Sequence, residues 1–255
     1  MIDALGQLSP LPTPWTDDTS AVSEVRLIRW IRHQREIGAV GFVIGTGTGE
    51  AMLASLSERK TLLELVMRET QNAVPVVVDA QASSTMASLD LAQHASRHGA
   101  RGIILAPMRL PVTDDELFSF VRTVVTYGAL PAAVVDPESR INAELHERFR
   151  HLTFISWPDP VTGPGAVRDV AWRDSWVLGQ TVVTPTSALA PGIPPSDPRL
   201  APLAALMREH QPARVLKMAV HILDGDLGPP RGPWLPLPDE YRPELVEALR
   251  AIGLV

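Results

Sequence analysis

The stretch VPVVVDAQASSTMASLDLAQHASRHGARGIILAP, residues 74–107, sets two short apolar runs on either side of a segment with helical periodicity. The runs VPVVVDA (74–80) and ARGIILAP (100–107) lack polar alternation, as strands buried on both faces do. Ser84 to His98 reads as the helix between them, with Gly99 suited to its C-cap. Strand, helix and strand in that order make a βαβ unit with its two strands parallel.

Outward from this unit the pattern repeats. GAVGFVIG (38–45), LPAAVVD (130–136) and HLTFISW (151–157) are further strand candidates, and TVVT (181–184) is a later one. Ser57 to Gln71 reads as a helix with Leu62, Leu63, Leu65 and Val66 on one side and Ser57 as its N-cap. Thr113 to Tyr127 reads as another, opened by a capping-box pattern of Thr113 and Glu116 and ending at Gly128. Strands thus recur about every 25 to 35 residues with helices between, and eight such units in about 250 residues is the usual size of a closed barrel.

The second half is irregular. WPDPVTGPGA (157–166) stands where a sixth helix should follow, and its three prolines and two glycines cannot form one. VRDVAW (167–172) is a candidate short strand, and the proline-rich 187–198 reads as a connector. Helices at about 197–210, 213–223 and 240–252 follow. Trp157, Trp172, Trp176 and Trp234 cluster in this half, where they would fill the space of the missing helix or be covered by a partner subunit. The expected organisation is one domain. Residues 1–185 supply barrel strands and helices, and 186–255 supply the final helix and a C-terminal helical extension.

Composition excludes several chemistries. Without cysteine there are no disulfides, thiolate nucleophiles, zinc ribbons or thiolate-held iron–sulfur clusters. A net charge of −6 argues against a nucleic-acid partner. No apolar run approaches the roughly 18 to 20 residues that cross a bilayer, and MIDALGQLSP (1–10) does not read as a leader. The expectation is a cytoplasmic protein with a small-molecule or protein partner and no membrane partner. Of the 23 basic residues only Lys60 and Lys217 are lysines.

The turn GTGTGE (45–50) offers successive backbone N–H groups after a strand, an arrangement that attracts anions. Its spacing is neither that of a dinucleotide fingerprint nor that of a P-loop, and such a turn also serves simply to end a strand. Asp79 and Asp136 fall at strand C-termini with Glu50 and Asp159 near. These carboxylates could hold Mg²⁺ or Mn²⁺, or each could cap a neighbouring loop. No histidine joins them at ligand-like spacing. His33, His94, His98, His146 and His210 fall on helices and His151 and His221 near ends of elements, so none provides the base for a Ser156–His–Asp triad.

GTGTGEAMLASLSERKTLLELV (45–66) resembles the dihydrodipicolinate synthase and N-acetylneuraminate lyase family. VPVVVDAQASST, HGARGIILAP, LPAAVVDPESR, LKMAVHI and RGPWLPLPDEYRPELVEALRAIG extend the likeness over nearly the whole chain, with a deletion around 158–175. The resemblance implies a (β/α)8 TIM-type barrel, lacking or shortening its sixth helix, with a C-terminal helical extension. It also implies that the turn holds the carboxylate of a 2-oxo acid. The first of the family's paired threonines aligns with Gly47, whereas Thr48, Gly49 and Glu50 match. Arg140 aligns with the arginine that family members aim at a second carboxylate, and a guanidinium suits that role.

The family's chemistry is where the chain departs. Its imine-forming lysine on the sixth strand aligns with Ser156, and a hydroxyl cannot form an imine. The proton-relaying tyrosine aligns with Val135 and the asparagine after it with Asp136. Pro107, Met108 and Arg109 stand where the fourth strand runs into paired tyrosines, and Tyr127 and Tyr241 lie on helices. Lys60 falls on the second helix and Lys217 on a C-terminal one, neither at a strand's C-terminal end, where barrel active sites sit. The resemblance therefore implies a cofactor-free barrel that binds a small carboxylate or 2-oxo acid through Gly47, Thr48 and Arg140 without Schiff-base aldolase activity. Glu50, Asp136 and Ser156 are the catalytic candidates for a non-iminium reaction, although family members use the aligned glutamate as a structural acceptor. The alternatives are a pseudoenzyme, a structural or regulatory barrel working as a homo-oligomer, and a metal-dependent lyase.

Overall fold

The computed structural model describes residues 5–105, 113–134, 143–150, 155–156, 176–178 and 181–255. Each of the first five strands is followed by a helix. The order is β1 (Gln7–Pro10), α1 (Glu24–Glu36), β2 (Phe42–Ile44), α2 (Leu56–Thr70), β3 (Val76–Asp79), α3 (Thr85–Arg97), β4 (Gly102–Leu105), α4 (Asp114–Gly128), β5 (Ala132–Val134), α5 (Ala143–Arg150) and β6 (Ile155–Ser156). Then come β7 (Trp176–Leu178), β8 (Thr181–Val183), α6 (Ala201–His210), α7 (Pro212–Ile222) and α8 (Arg242–Ala251). One sheet runs β6-β5-β4-β3-β2-β1-β8-β7. It is parallel from β6 through β8, the α/β wall of a (β/α)8-type barrel.

Both faces of that wall are apolar. Leu8, Val43, Val77, Ile104, Ala133 and Val183 form the inner cluster. Their neighbours Phe42, Ile44, Val76, Val78, Ile103, Leu105, Ala132 and Val134 join the larger cluster beneath the helices. Alternate residues of a strand point to opposite faces, so unbroken β-branched runs satisfy both layers. Leu203, Leu216 and Leu245 of α6, α7 and α8 belong to the same outer cluster, so the C-terminal helices share the barrel's core. Helices α3 and α4 approach closely at Gly128, where a Cβ would lie 2.8 Å from that of Ala92.

Several sequence expectations change in detail. The strand β1 and the helix α1 join the repeat ahead of residue 38, so the wall starts one unit earlier than the most apolar runs suggest. The N-cap of α2 is Ser55, not Ser57. Ser55 accepts from the Glu58 N–H while the Glu58 carboxylate accepts from the Ser55 N–H. The same reciprocal box holds between Thr113 and Glu116, as expected. The series of parallel units breaks at β7, which pairs antiparallel with β8. Only two residues separate Leu178 from Thr181, and a parallel crossover needs about a dozen. VRDVAW, the prolines and glycines of 157–166, Trp157 and Trp172 lie outside the described residues, and so does the place of the sixth helix.

The two serines make the cap assignment testable. Ser55→Ala should lower stability by about 1 kcal/mol, the usual worth of an N-cap, and Ser57→Ala by less than about 0.5 kcal/mol. Urea denaturation of both variants measures the difference.

Candidate functional site

The turn after β2 runs from Gly45, at φ +75°, through Glu50. Its backbone is pinned from within, with Gly49 N and Ala51 N donating to Thr46 O and Glu50 N to Gly47 O. From the neighbouring segment after β1, Thr13 Oγ1 donates to Gly49 O at 2.5 Å. Thr46, Thr48 and Glu50 are fully buried. The Thr46 hydroxyl has no hydrogen-bond partner among the described residues. A buried polar group left unsatisfied costs about 1–3 kcal/mol, which sets Thr46 apart from the bonded backbone groups of the turn. Sequence reading singled out Gly47 and Thr48 in this turn and missed Thr46. The preference for hydroxyl residues beside the glycines was the available signal.

Glu50 sits at the centre of an ion-pair network. It adopts a left-handed conformation, φ 55° and ψ 30°, which a non-glycine residue keeps only when its surroundings hold it there. One carboxylate oxygen accepts from Trp15 Nε1 at 2.8 Å and from the backbone N–H of Arg231 at 2.7 Å. The other lies 2.5 Å from Lys217 Nζ. Lys217, on α7, is 6% exposed and also donates to Pro229 O at 2.8 Å. Burial pushes its ammonium below the usual lysine range, and the Glu50 carboxylate pulls in the opposite direction.

A second layer supports the first. The Arg231 guanidinium stacks 3.9 Å over the Trp15 ring and donates to both oxygens of Glu58, at 2.7 and 2.8 Å. It donates to the carbonyl oxygens of Thr19, Ser20 and Leu53 as well. Those bonds from Arg231 hold the Glu58 carboxyl down at about 2. Gly228, at φ +69°, lets the chain pass Trp15, because a Cβ there would sit 2.3 Å from the Trp15 carbonyl oxygen.

The remaining sequence candidates separate. Asp79 ends β3 and is buried, with Oδ1 accepting from Gln81 N at 2.8 Å, a loop-capping bond. Arg59 of α2 donates to the carbonyl oxygens of Gln81, at 2.6 Å, and Asp79, at 2.5 Å. Ser156 pairs in register with Ala133 of the inner cluster. Val135, Asp136, Arg140, Asp159 and the segment Pro107, Met108 and Arg109 lie outside the described residues. Lys60 is on α2 as expected, its Nζ 2.5 Å from Asp90 of α3 on the outer wall. Lys217 is on a C-terminal helix as expected. Its ammonium nevertheless reaches the strand-end turn, a contact 167 residues distant in sequence that helical pattern alone does not reveal.

The model of the dihydrodipicolinate synthetase family matches residues 3–155. A 4-hydroxy-tetrahydrodipicolinate synthase of Rhizobium meliloti is 28% identical over 155 residues, 60% of this chain and 52% of that protein. An N-acetylneuraminate lyase of Shigella boydii serotype 4 is 31% identical over 131 residues, 51% of this chain and 44% of that protein. The chain thus spans about half the length of the curated relatives it matches. Among solved structures, a catalytic lysine mutant of the Ruminococcus gnavus sialic acid aldolase aligns with a TM-score of 0.77 and 15% identity, covering 98% of this chain and 96% of that one. At that identity the likeness is one of fold. No helix among the described residues is long and apolar enough to cross a membrane.

The network yields two stability predictions. Lys217→Met leaves the Glu50 carboxylate buried beside an apolar side chain and should cost about 3–5 kcal/mol, whereas the Glu50→Gln, Lys217→Met double variant should cost less than the sum of the singles. Equilibrium urea unfolding of the four proteins tests this. The second concerns Glu58. Its folded value lies below the ordinary 4.5, so its contribution is complete above that pH and is lost as pH falls from 4.5 towards about 2. Glu58→Gln should therefore cost about 2 kcal/mol at neutral pH, with a gap to the parent that narrows across that window in urea titrations.

Proposed function

Because the chain belongs to the dihydrodipicolinate synthetase family, we propose that it binds a small carboxylate or 2-oxo acid at the turn after β2 and does not process it through a lysine imine. The observation that carries this reading is the engagement of both lysine ammonium groups. Lys60 pairs with Asp90 on the outer wall, and Lys217 is buried against Glu50 and the Pro229 carbonyl. An imine requires a neutral amine free to reach a carbonyl carbon. Neither lysine is free.

In this reading Thr46 and Thr48 supply hydroxyl donors for the carboxylate, Gly47 leaves room for it beside the backbone, and Arg140 pairs with a second anionic group. Glu50 is a positioning residue, because its oxygens are committed to Trp15, Arg231 and Lys217. Asp136 and Ser156 remain the candidates for contact with the reacting part of the ligand. The family match stops at residue 155, one position before Ser156, and the Ruminococcus gnavus sialic acid aldolase has a catalytic lysine. Those two facts support a chain that keeps the family's binding half and has changed its reactive half.

Borohydride reduction in the presence of pyruvate and other 2-oxo acids, followed by intact mass, tests the chemistry. The mass should remain that of the unmodified chain, and an adduct on Lys217 or Lys60 would overturn the reading. Saturation-transfer NMR with the same acids tests binding on its own. Signals that weaken in Thr48→Val are expected, and equal signals in parent and variant would remove the turn from the site.

A further inference from the structure

We propose that Glu64, His94 and His98 form a binding site for a divalent transition-metal ion of the zinc class on the outer wall, bridging α2 and α3. One potential ligand atom from each residue lies within 4.8 Å of the others. His94 and His98 are four residues apart on α3 and so share a face, with ring centroids 4.1 Å apart. Glu64 approaches from α2, with Oε1 2.9 Å from His94 Nε2. This site is separate from the turn after β2 and does not rest on the carboxylate-binding reading.

Two features favour a metal over a simple histidine–glutamate contact. First, His94 Nε2 is buried and makes no hydrogen bond of acceptable geometry despite its short distance from Glu64. A metal ion accepts that lone pair without the angle a hydrogen bond demands. Second, His98 Nδ1 lies 2.9 Å from the His94 carbonyl oxygen. A carbonyl only accepts, so Nδ1 carries the proton and Nε2 presents a free lone pair, the arrangement by which metal-ligating histidines are oriented.

The distances suit such an ion. Ligand atoms at about 2.0–2.1 Å from a tetrahedral zinc stand about 3.3 Å apart, so the 2.9 Å pair opens slightly and the third atom closes by a side-chain rotation. Two imidazoles and one carboxylate select zinc, nickel, cobalt or copper over magnesium or calcium. The fourth position would be taken by water. The charged groups facing His94 are Lys60 and Glu64 from α2 and His98 and Arg97 from α3, and the two cations oppose metal entry. Lys60 is partly neutralised by Asp90 at 2.5 Å. These repulsions point to micromolar rather than tighter binding.

The experiment uses the full chain stripped with a chelator and titrated with Zn²⁺ by calorimetry and with Co²⁺ by visible absorption. One equivalent of each is expected, with a rise in melting temperature on Zn²⁺ addition. Glu64→Gln and His98→Ala should each weaken binding at least about tenfold, the lower bound set by what loss of an outer-shell partner alone can do. Both variants alter the outer surface, so their metal-free melting temperatures should match the parent and separate lost binding from lost folding. Absence of saturable binding, or binding that both variants leave unchanged, overturns the proposal. The second outcome would assign the metal to other histidines.

Discussion

A carboxylate with no exposure to water has to be matched by donors, and Glu50 is matched from three directions. Trp15 follows β1, Lys217 belongs to α7, and the Arg231 N–H comes from the segment between α7 and α8. Removing a charge from water costs several kcal/mol, which only close and numerous partners recover. The constraint therefore acts on the chain's path. The Arg231 segment has to return 181 residues later in sequence to the turn after β2, and Gly228 with its positive φ makes that passage past Trp15 possible. Arg231 then reaches on to Glu58, so the same return also secures the first turn of α2.

The geometry of the strand-end turn follows from this clamp. Glu50 occupies a left-handed conformation because its side chain is held, and the bonds among Thr46, Gly47, Gly49, Glu50 and Ala51 follow from where Glu50 is held. A buried Thr46 hydroxyl without a partner among the described residues is tolerable in a turn so strongly restrained. Rigid backbone around an unspent donor is the form a preorganised ligand contact takes, since little ordering remains to be done when the ligand arrives. The α2 and α3 wall is held in a different way, by the Lys60–Asp90 pair and the His94–Glu64 contact.

Elements whose information is local were legible in the sequence. The β-branched runs at 74–80 and 100–107 and the Thr113–Glu116 box carry their structure within a few residues, and all three are found as read. Ser55 and Ser57 both precede the apolar stripe of α2. Choosing between them depends on which serine faces Glu58, a matter of one turn's register. The strand β1, QLSP, holds only four residues and contains a serine, so its strand character comes from pairing with β2 and β8 rather than from its own pattern. The strand β7 was not read from the sequence, but once it and β8 are given, their antiparallel direction follows from chain length, because two residues cannot cross a sheet. The Lys217–Glu50 contact was beyond reach, since nothing in a helix's periodicity says which distant carboxylate its buried lysine will meet.

That contact bears on how the family's chemistry could change. Burial alone would favour the neutral amine of Lys217, as it does in imine-forming lysines. The carboxylate at 2.5 Å opposes this, and the Pro229 carbonyl accepts a further hydrogen bond from the ammonium. For Lys217 to become a nucleophile it would have to abandon Glu50, leaving that charge buried beside the turn that Glu50 orders. On the proposed reading, the lysine nearest to the ligand is therefore unavailable because of the work it does for the ligand's own binding turn. A chain with serine at position 156 can keep the cradle or convert its remaining buried lysine to catalysis, and the network around Glu50 makes the two incompatible.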